Sequence, residues 1–245
     1  MEPVISVEGL TKSYGPARGV FDLSFSVHGG EALGFLGANG AGKTVTMRLL
    51  MGFVRAHAGT ARIFGLDCFD ERPTIQRRVG YLPGELALPS DMTARAFLHM
   101  QASLRGLHDL KTMHALIDYF ELNPSVRIRE LSKGNKQKVG IVNAFMHAPD
   151  VLLLDEPTSG LDLLMQRRFA DLVQESRSKG AAVLLSSHAL GEVERLCDQA
   201  LFVRQGRQTR FCDPAALDAD AIVENLYGPE AARLAWNDFK TRRAS

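Results

Sequence analysis

The chain has 245 residues, 45% of them hydrophobic, and a formal net charge of +1. That size suits one large α/β domain or a core with an inserted subdomain, and that charge makes no general case for nucleic acid or an anionic membrane surface, so no nucleic-acid partner is expected. The three cysteines, Cys68, Cys197 and Cys212, stand apart without CxxC spacing, which argues against a zinc site or a disulfide framework and for a reducing compartment.

Taken in chain order, the start MEPVISVEG lacks the apolar run of a signal peptide, and no later stretch reaches the ~18–20 apolar residues of a membrane span, so a soluble chain is expected. Residues 4–36 hold three short β-like pieces, VISVEGL, VFDLSFSV and EALGFLG, separated by the turn-forming YGPARG and HGG. The pattern turns helical from Lys43 to Phe53, and ARIFG at 61–65 reads as a further strand. Residues 92–122 carry two amphipathic helical patterns, and a third helix runs from Gly134 to about Met146, where Pro149-Asp150 stops it. These three are read as an inserted helical subdomain at about 86–147. Strands and helices then alternate: VLLLD, a helix from about Asp162 to Ser178, AAVLLSS, a helix from Ala189 to Cys197, and ALFVR. This order predicts an α/β fold with a mostly parallel sheet and helices on both faces. Residues 1–228 are read as the domain and 229–245 as a tail, in which Trp236 and DFKTRRAS have no legible role.

The strongest local pattern is GANGAGKT: Gly37, Ala38, Asn39, Gly40, Ala41, Gly42, Lys43 and Thr44. It follows an apolar strand and opens a helix, the setting in which GxxxxGK[ST] becomes a phosphate loop. Glycines let successive N–H groups curl around an anion, and the helix start adds a favourable dipole. Lys43 can reach the β- and γ-phosphates, and the Thr44 hydroxyl can bind Mg²⁺. A metal-holding carboxylate belongs on a neighbouring buried strand, and Asp155 ends VLLLD at the edge where α/β sheets place ligands. Glu156 follows and can take a proton from a water attacking the γ-phosphate; a solvated strand end is the plain alternative for both. The stretch LSKGNKQK at 131–138 has two readings by itself: Ser132 is a helix N-cap, or it holds an anion. The histidines form no HxH or HExxH spacing, so no transition metal is indicated.

Together these residues resemble the ATP-binding subunits of ABC transporters. GANGAGKT is similar to that family's Walker A loop, VLLLDE to Walker B, SGLD at 159–162 to the D-loop with Asp162, and His188 in LLSSH to the switch histidine. Tyr14 in TKSYG resembles the aromatic that stacks on adenine, and LSKGN is a variant of the LSGGQ signature, with Lys133 and Asn135 in place of Gly and Gln. The resemblance extends from Tyr14 to about Gly206 and implies a P-loop NTPase core with an N-terminal antiparallel β subdomain and an inserted α-helical subdomain. It implies ATP and Mg²⁺ as ligands and Glu156 and His188 as catalytic residues. It also implies a head-to-tail pairing with a second ATPase subunit, identical or not, in which Ser132 and Gly134 serve the partner's ATP. A transmembrane permease would complete the assembly at the cytoplasmic face of the membrane, and LSKG followed by KQK resembles bacterial drug- and antibiotic-exporter ATPases.

One departure stands out. Where the family carries a metal-binding Gln after the strand VGYLP, this chain has Gly84, followed by Glu85. Either Glu85 takes that place or water completes the metal shell. Leu86, Leu88, Phe97 and Met100 beyond it either line a groove for a short helix of the transporter or pack inside the helical subdomain. A soluble switch acting on DNA or ribosomes would be expected to carry two ATPase domains or long coiled coils, and a binding-only module differs by lacking phosphate release.

Overall fold

The computed structural model describes residues 2–15, 18–216, 224–226 and 228. The proposed tail at 229–245, with Trp236, lies outside the described residues.

The chain runs through β1 (Ile5–Ser13), β2 (Gly19–Val27), β3 (Ala32–Leu36), α1 (Lys43–Leu50), β4 (Ala58–Ile63), β5 (Leu66–Asp67), α2 (Arg72–Gln76) and β6 (Val79–Leu82). It continues through α3 (Ala94–Leu104), α4 (Lys111–Tyr119), α5 (Lys133–Phe145), β7 (Val151–Asp155), α6 (Leu163–Ser178), β8 (Ala182–Ser187), α7 (Leu190–Leu196), β9 (Gln199–Arg204) and β10 (Arg207–Cys212). An antiparallel sheet has the order β2-β1-β4-β5, and the larger sheet has the order β10-β9-β3-β8-β7-β6. Every pairing in the larger sheet is parallel except β10 with β9. The expected α/β class, parallel core and antiparallel N-terminal sheet are all present.

The unbroken apolar runs of β3, β7 and β8 are explained by burial on both faces. Alternate side chains serve two cores. Leu33, Phe35, Leu153 and Leu184 point to one, shared with Met47 and Leu50 of α1 and with Val7, Leu23 and Val27 of the antiparallel sheet. Leu36, Leu154, Leu185 and Phe202 point to the other, shared with the apolar faces of α3, α4, α5, α6 and α7. One face of the parallel sheet is therefore covered largely by another sheet rather than by helices alone. Gly80 of β6 shows how tight the helical side is: a Cβ there would stand 2.2 Å from the Ala144 carbonyl oxygen of α5.

Several boundaries differ from the sequence reading for local reasons. Helix α1 stops at Leu50, short of Phe53, because Gly52 turns left-handed at φ 68. The ARIFG strand ends at Ile63, and Phe64 and Gly65, at φ 57 and 76, turn it into β5. Strand β10 is absent from the sequence reading: Gln205 and Gly206, at φ 50 and 76, make a two-residue hairpin turn of the kind whose twist suits paired strands. Its residues Arg207, Gln208, Thr209 and Arg210 are exposed, so no alternation marks it as a strand. Among the described residues no helix is long and apolar enough to cross a membrane.

His147, just past α5, places Nε2 3.2 Å from both the Val79 carbonyl oxygen and Arg105 Nη1. Burial first, then the Arg105 charge, pull its pKa from 6.5 down to about 4. The unfolded imidazole therefore takes a proton first, so this site's share of stability is intact above pH 6.5 and is lost as pH falls from 6.5 towards 4. His147→Gln should reduce the stability difference between pH 7.5 and pH 5 by ~2 kcal/mol, measured by urea unfolding at both pH values; an unchanged difference would count against this burial.

Candidate active site

Strands β3, β7 and β8 run parallel and end together, so the segments leaving their carboxyl ends share one edge of the sheet. The first segment is the glycine loop. Gly42 takes φ 111, and a Cβ there would stand 2.7 Å from Val20 Cγ1 and 2.9 Å from the Gly19 carbonyl oxygen, so only glycine fits against β2. Lys43 is 6% exposed. Its ammonium donates to the Gly37 carbonyl at 2.6 Å and lies 3.4 Å from Glu156 Oε1. The loop's own carbonyl and Glu156 hold this buried charge, as a buried cation requires.

Asp155, at the end of β7, is 1% exposed and accepts the Thr44 hydroxyl at 2.7 Å on one oxygen and the Ser186 hydroxyl on the other. Glu156 follows in left-handed backbone, φ 48, a cost that non-glycine residues bear where surrounding contacts impose it. Those contacts are visible: its N–H donates to the Ser186 carbonyl at 3.1 Å, and its Oε2 lies 2.6 Å from Nδ1 of His188, which leaves β8. An ionised carboxylate can only accept, so Nδ1 carries the hydrogen. Glu156 Oε1 is buried, with the Lys43 ion pair and no hydrogen bond.

Tyr14, 48% exposed, stands at the mouth of a 460 Å³ cavity also lined by Ala38, Asn39, Gly40, Ala41, Gly42, Lys43, Thr44, Asp155 and Glu156. An adjoining 800 Å³ cavity shares Thr44, Asp155 and Glu156 and is bounded by Tyr81, Gly84 and Glu85. Burial, then the charge of Asp155, push the Tyr81 hydroxyl up to about 12, so it stays protonated beside the carboxylate. Thr44 Oγ1 and the Asp155 carboxylate are hard oxygen donors side by side, a set that fits Mg²⁺. A Cβ on Gly84 would lie 3.3 Å from Asp155 Oδ2, tighter than ordinary van der Waals contact, so a side chain here would press on that carboxylate. Glu85 is exposed on the same cavity and, among the described residues, makes no hydrogen bond or ion pair with Thr44.

Ser132, Gly134 and Asp162 do not line the nucleotide-sized cavity. Within this chain Ser132 caps α5, accepting the Asn135 N–H at 3.2 Å, and Asp162 caps α6, accepting the Met165 N–H at 2.9 Å. The two helix starts are joined. Lys133 Nζ donates to Ser159 Oγ at 2.9 Å, and Gln137 Nε2 donates to the Pro157 carbonyl at 2.7 Å. Ser186 and Gln137 were not singled out in the sequence: Ser186 is one of two serines closing an apolar strand, and Gln137 sits in a charged run that gives no sign of its burial. Leu86 packs over Gly140, whose Cβ would meet it at 2.9 Å, and Phe97 is buried, whereas Met100 is 39% exposed. The expected groove residues thus divide between core and surface.

Comparison with known proteins agrees with this geometry. Residues 20–159 match the family described as ABC transporter, and the chain belongs to that family. It is 36% identical over 217 residues to an uncharacterised ABC transporter ATP-binding protein of Methanocaldococcus jannaschii, covering 86% of this chain and 78% of that one. It is 33% identical over 210 residues to the bacitracin transport ATP-binding protein BcrA of Bacillus licheniformis, covering 84% and 69%. It is 34% identical over 241 residues to the Nod factor export ATP-binding protein I of Paraburkholderia xenovorans, covering 95% and 79%. The solved structure of an ATP-binding subunit of an ABC transporter superposes with a TM-score of 0.80 at 30% identity, covering 96% and 99%. The chain is an ABC ATP-binding subunit, an ATPase by class.

Gly134 tests the join between the helix starts, because a Cβ there would stand 2.6 Å from the Gly160 carbonyl oxygen. Gly134→Ala should force α5 and the 157–161 loop apart at a cost of about 1–3 kcal/mol. A melting curve should show a drop of several degrees; an unchanged midpoint would mean the loop yields freely.

Proposed function

We propose that this chain is the ATP-hydrolysing subunit of an ABC-type exporter. It works as a head-to-tail dimer on a separate transmembrane permease, at the cytoplasmic face of the membrane. The observation that supports the reading best is the convergence of Lys43, Thr44, Asp155, Glu156 and His188 on one cavity edge beside Tyr14. Two relatives, a bacitracin transport and a Nod factor export ATP-binding protein, support the exporter class. The stretch at about 86–147 is proposed as a helical subdomain inserted within a 1–228 domain.

In this reading ATP's phosphates enter the glycine cradle, and the Lys43 ammonium turns from the Gly37 carbonyl and Glu156 towards them. That movement releases Glu156 Oε1, which then accepts a proton from the attacking water. His188 holds the other carboxylate oxygen through Nδ1 and leaves Nε2 for the γ-phosphate. Thr44 and Asp155 would hold Mg²⁺, which would neutralise charge developing on the phosphates; Gly84 offers no side-chain ligand, and water would supply the remaining ones. Ser132 and Gly134 of one subunit face the ATP bound by the other, so the cap seen here is half of that role.

Glu156→Gln keeps shape and removes the proton acceptor. Steady-state phosphate release should fall by about 10² or more while ATP binding persists and an ATP-bound dimer accumulates on gel filtration. Near-normal turnover would remove Glu156 from the role. For the shared site, Ser132→Arg should abolish hydrolysis and leave ATP binding by the isolated subunit. Adding excess Lys43→Ala subunits should restore activity, since each mixed dimer then has one intact Walker A facing one intact signature. Mixed dimers verified by mass that stay inactive would argue against the head-to-tail arrangement.

A further inference from the structure

Glu192 is a buried carboxyl to which the mechanism above assigns no part. It lies in α7, is 8% exposed, and belongs to neither the glycine loop nor the metal-holding pair. Its Oε2 accepts the Ser187 hydroxyl at 2.7 Å, and the same hydroxyl oxygen accepts the Ala189 N–H at 3.0 Å. The Glu192 N–H in turn donates to the Ala189 carbonyl at 3.2 Å. Ser187 and Ala189 are the two neighbours of His188. A closed ring of hydrogen bonds therefore fixes the backbone on both sides of a histidine whose side chain is itself 68% exposed and, among the described residues, is tied to Glu156 alone.

Burial of a carboxyl without a role at the site would be a pure cost, since an apolar residue would fill this place in α7 without desolvating a charge. The second oxygen, Oε1, is buried with no hydrogen bond. Around the carboxyl stand Thr158 from the loop after Glu156, Ser187 from β8, Arg195 from its own helix, and the Glu156 charge. Cys197, at the end of α7, feels the same carboxyl, its thiol held up to about 12 chiefly by burial. Burial raises the Glu192 pKa first and Glu156 adds to it, while Ser187, Thr158 and Arg195 oppose.

From this ring we infer that Glu192 is a positioning residue for hydrolysis: it clamps Ser187 and Ala189 and so holds His188 against Glu156. The inference rests on the proposed roles of His188 and Glu156. Glu192 touches neither substrate nor the reacting atoms, and its effect passes through His188. An amide at this position can accept the Ser187 hydroxyl as the carboxylate does, so the clamp needs an acceptor rather than a charge.

Steady-state kinetics of the full chain test it, using Glu192→Ala, Glu192→Gln, Ser187→Ala, His188→Ala and the pair Glu192→Ala/His188→Ala. Glu192→Ala should lower kcat about ten- to hundredfold, the scale of a misplaced catalytic group, with KM for ATP little changed. Glu192→Gln should recover most of that loss, and Ser187→Ala, which cuts the same ring from its other side, should reproduce it. In the His188→Ala background Glu192→Ala should have no further effect, because residues acting as a unit are not additive. Full additivity in the double variant, a KM rise matching the kcat fall, or wild-type turnover in Glu192→Ala would overturn the inference. Should Glu192→Ala fail to fold, Ser187→Ala with and without His188→Ala decides by the same criterion. A normal Glu192→Ala beside an impaired His188→Ala defeats the clamp alone. A fully active His188→Ala defeats the role of His188 and the clamp with it.

Discussion

The arrangement of this molecule depends on one carboxylate buried at the end of an apolar strand. Asp155 is out of water, and each of its oxygens is met by a hydroxyl from a different element, Thr44 of α1 and Ser186 of β8. An ionised group in such a place is tolerated only when its acceptor sites are filled, so the carboxylate fixes the positions of the elements that fill them. The glycine loop, the end of β7 and the end of β8 are thereby brought into one constellation. Parallel pairing of β3, β8 and β7 brings those ends close enough for the bonds to form.

Two further consequences follow from the same edge. Glu156, directly after Asp155, leaves β7 in a left-handed turn, and the Ser186 carbonyl and His188 hold it there. The loop that it opens, 157–161, is gripped at Pro157 by Gln137, at Ser159 by Lys133 and at Gly160 by the close approach of Gly134. The start of α5 and the carboxylate edge are thus mechanically continuous. The buried part of that link is the Gln137 amide on the Pro157 carbonyl, one residue past Glu156.

The sequence was legible where one interaction dominates. Unbroken apolar runs marked β3, β7 and β8; GANGAGKT and Asp155 stood out because a phosphate loop and a metal-holding carboxylate would demand those residue types in that setting, and His188 stood out through the family resemblance. Apolar spacing of three and four located α3, α4 and α5. It was illegible where tertiary contact decides. The exposed strand β10 has no alternating pattern, and its existence depends on the left-handed pair Gln205-Gly206. Ser186 and Gln137 are ordinary polar residues whose partners lie 31 and 20 positions away in the chain. Glu192 reads as one acid among several on a short helix until its burial is seen. Gly84 departs from the family pattern in sequence, but only packing shows how closely its backbone approaches Asp155.

The outermost strand carries a separate consequence for how the molecule behaves among its own kind. A sheet that ends in β10 offers a row of peptide groups on which another chain could continue the ladder. That edge exposes Arg207 and Arg210, with Gln208 and Thr209 between them. Two molecules meeting there would crowd like charges along a shared ladder, which is how open strands resist runaway pairing. Self-association by fibrous extension is therefore discouraged at this border.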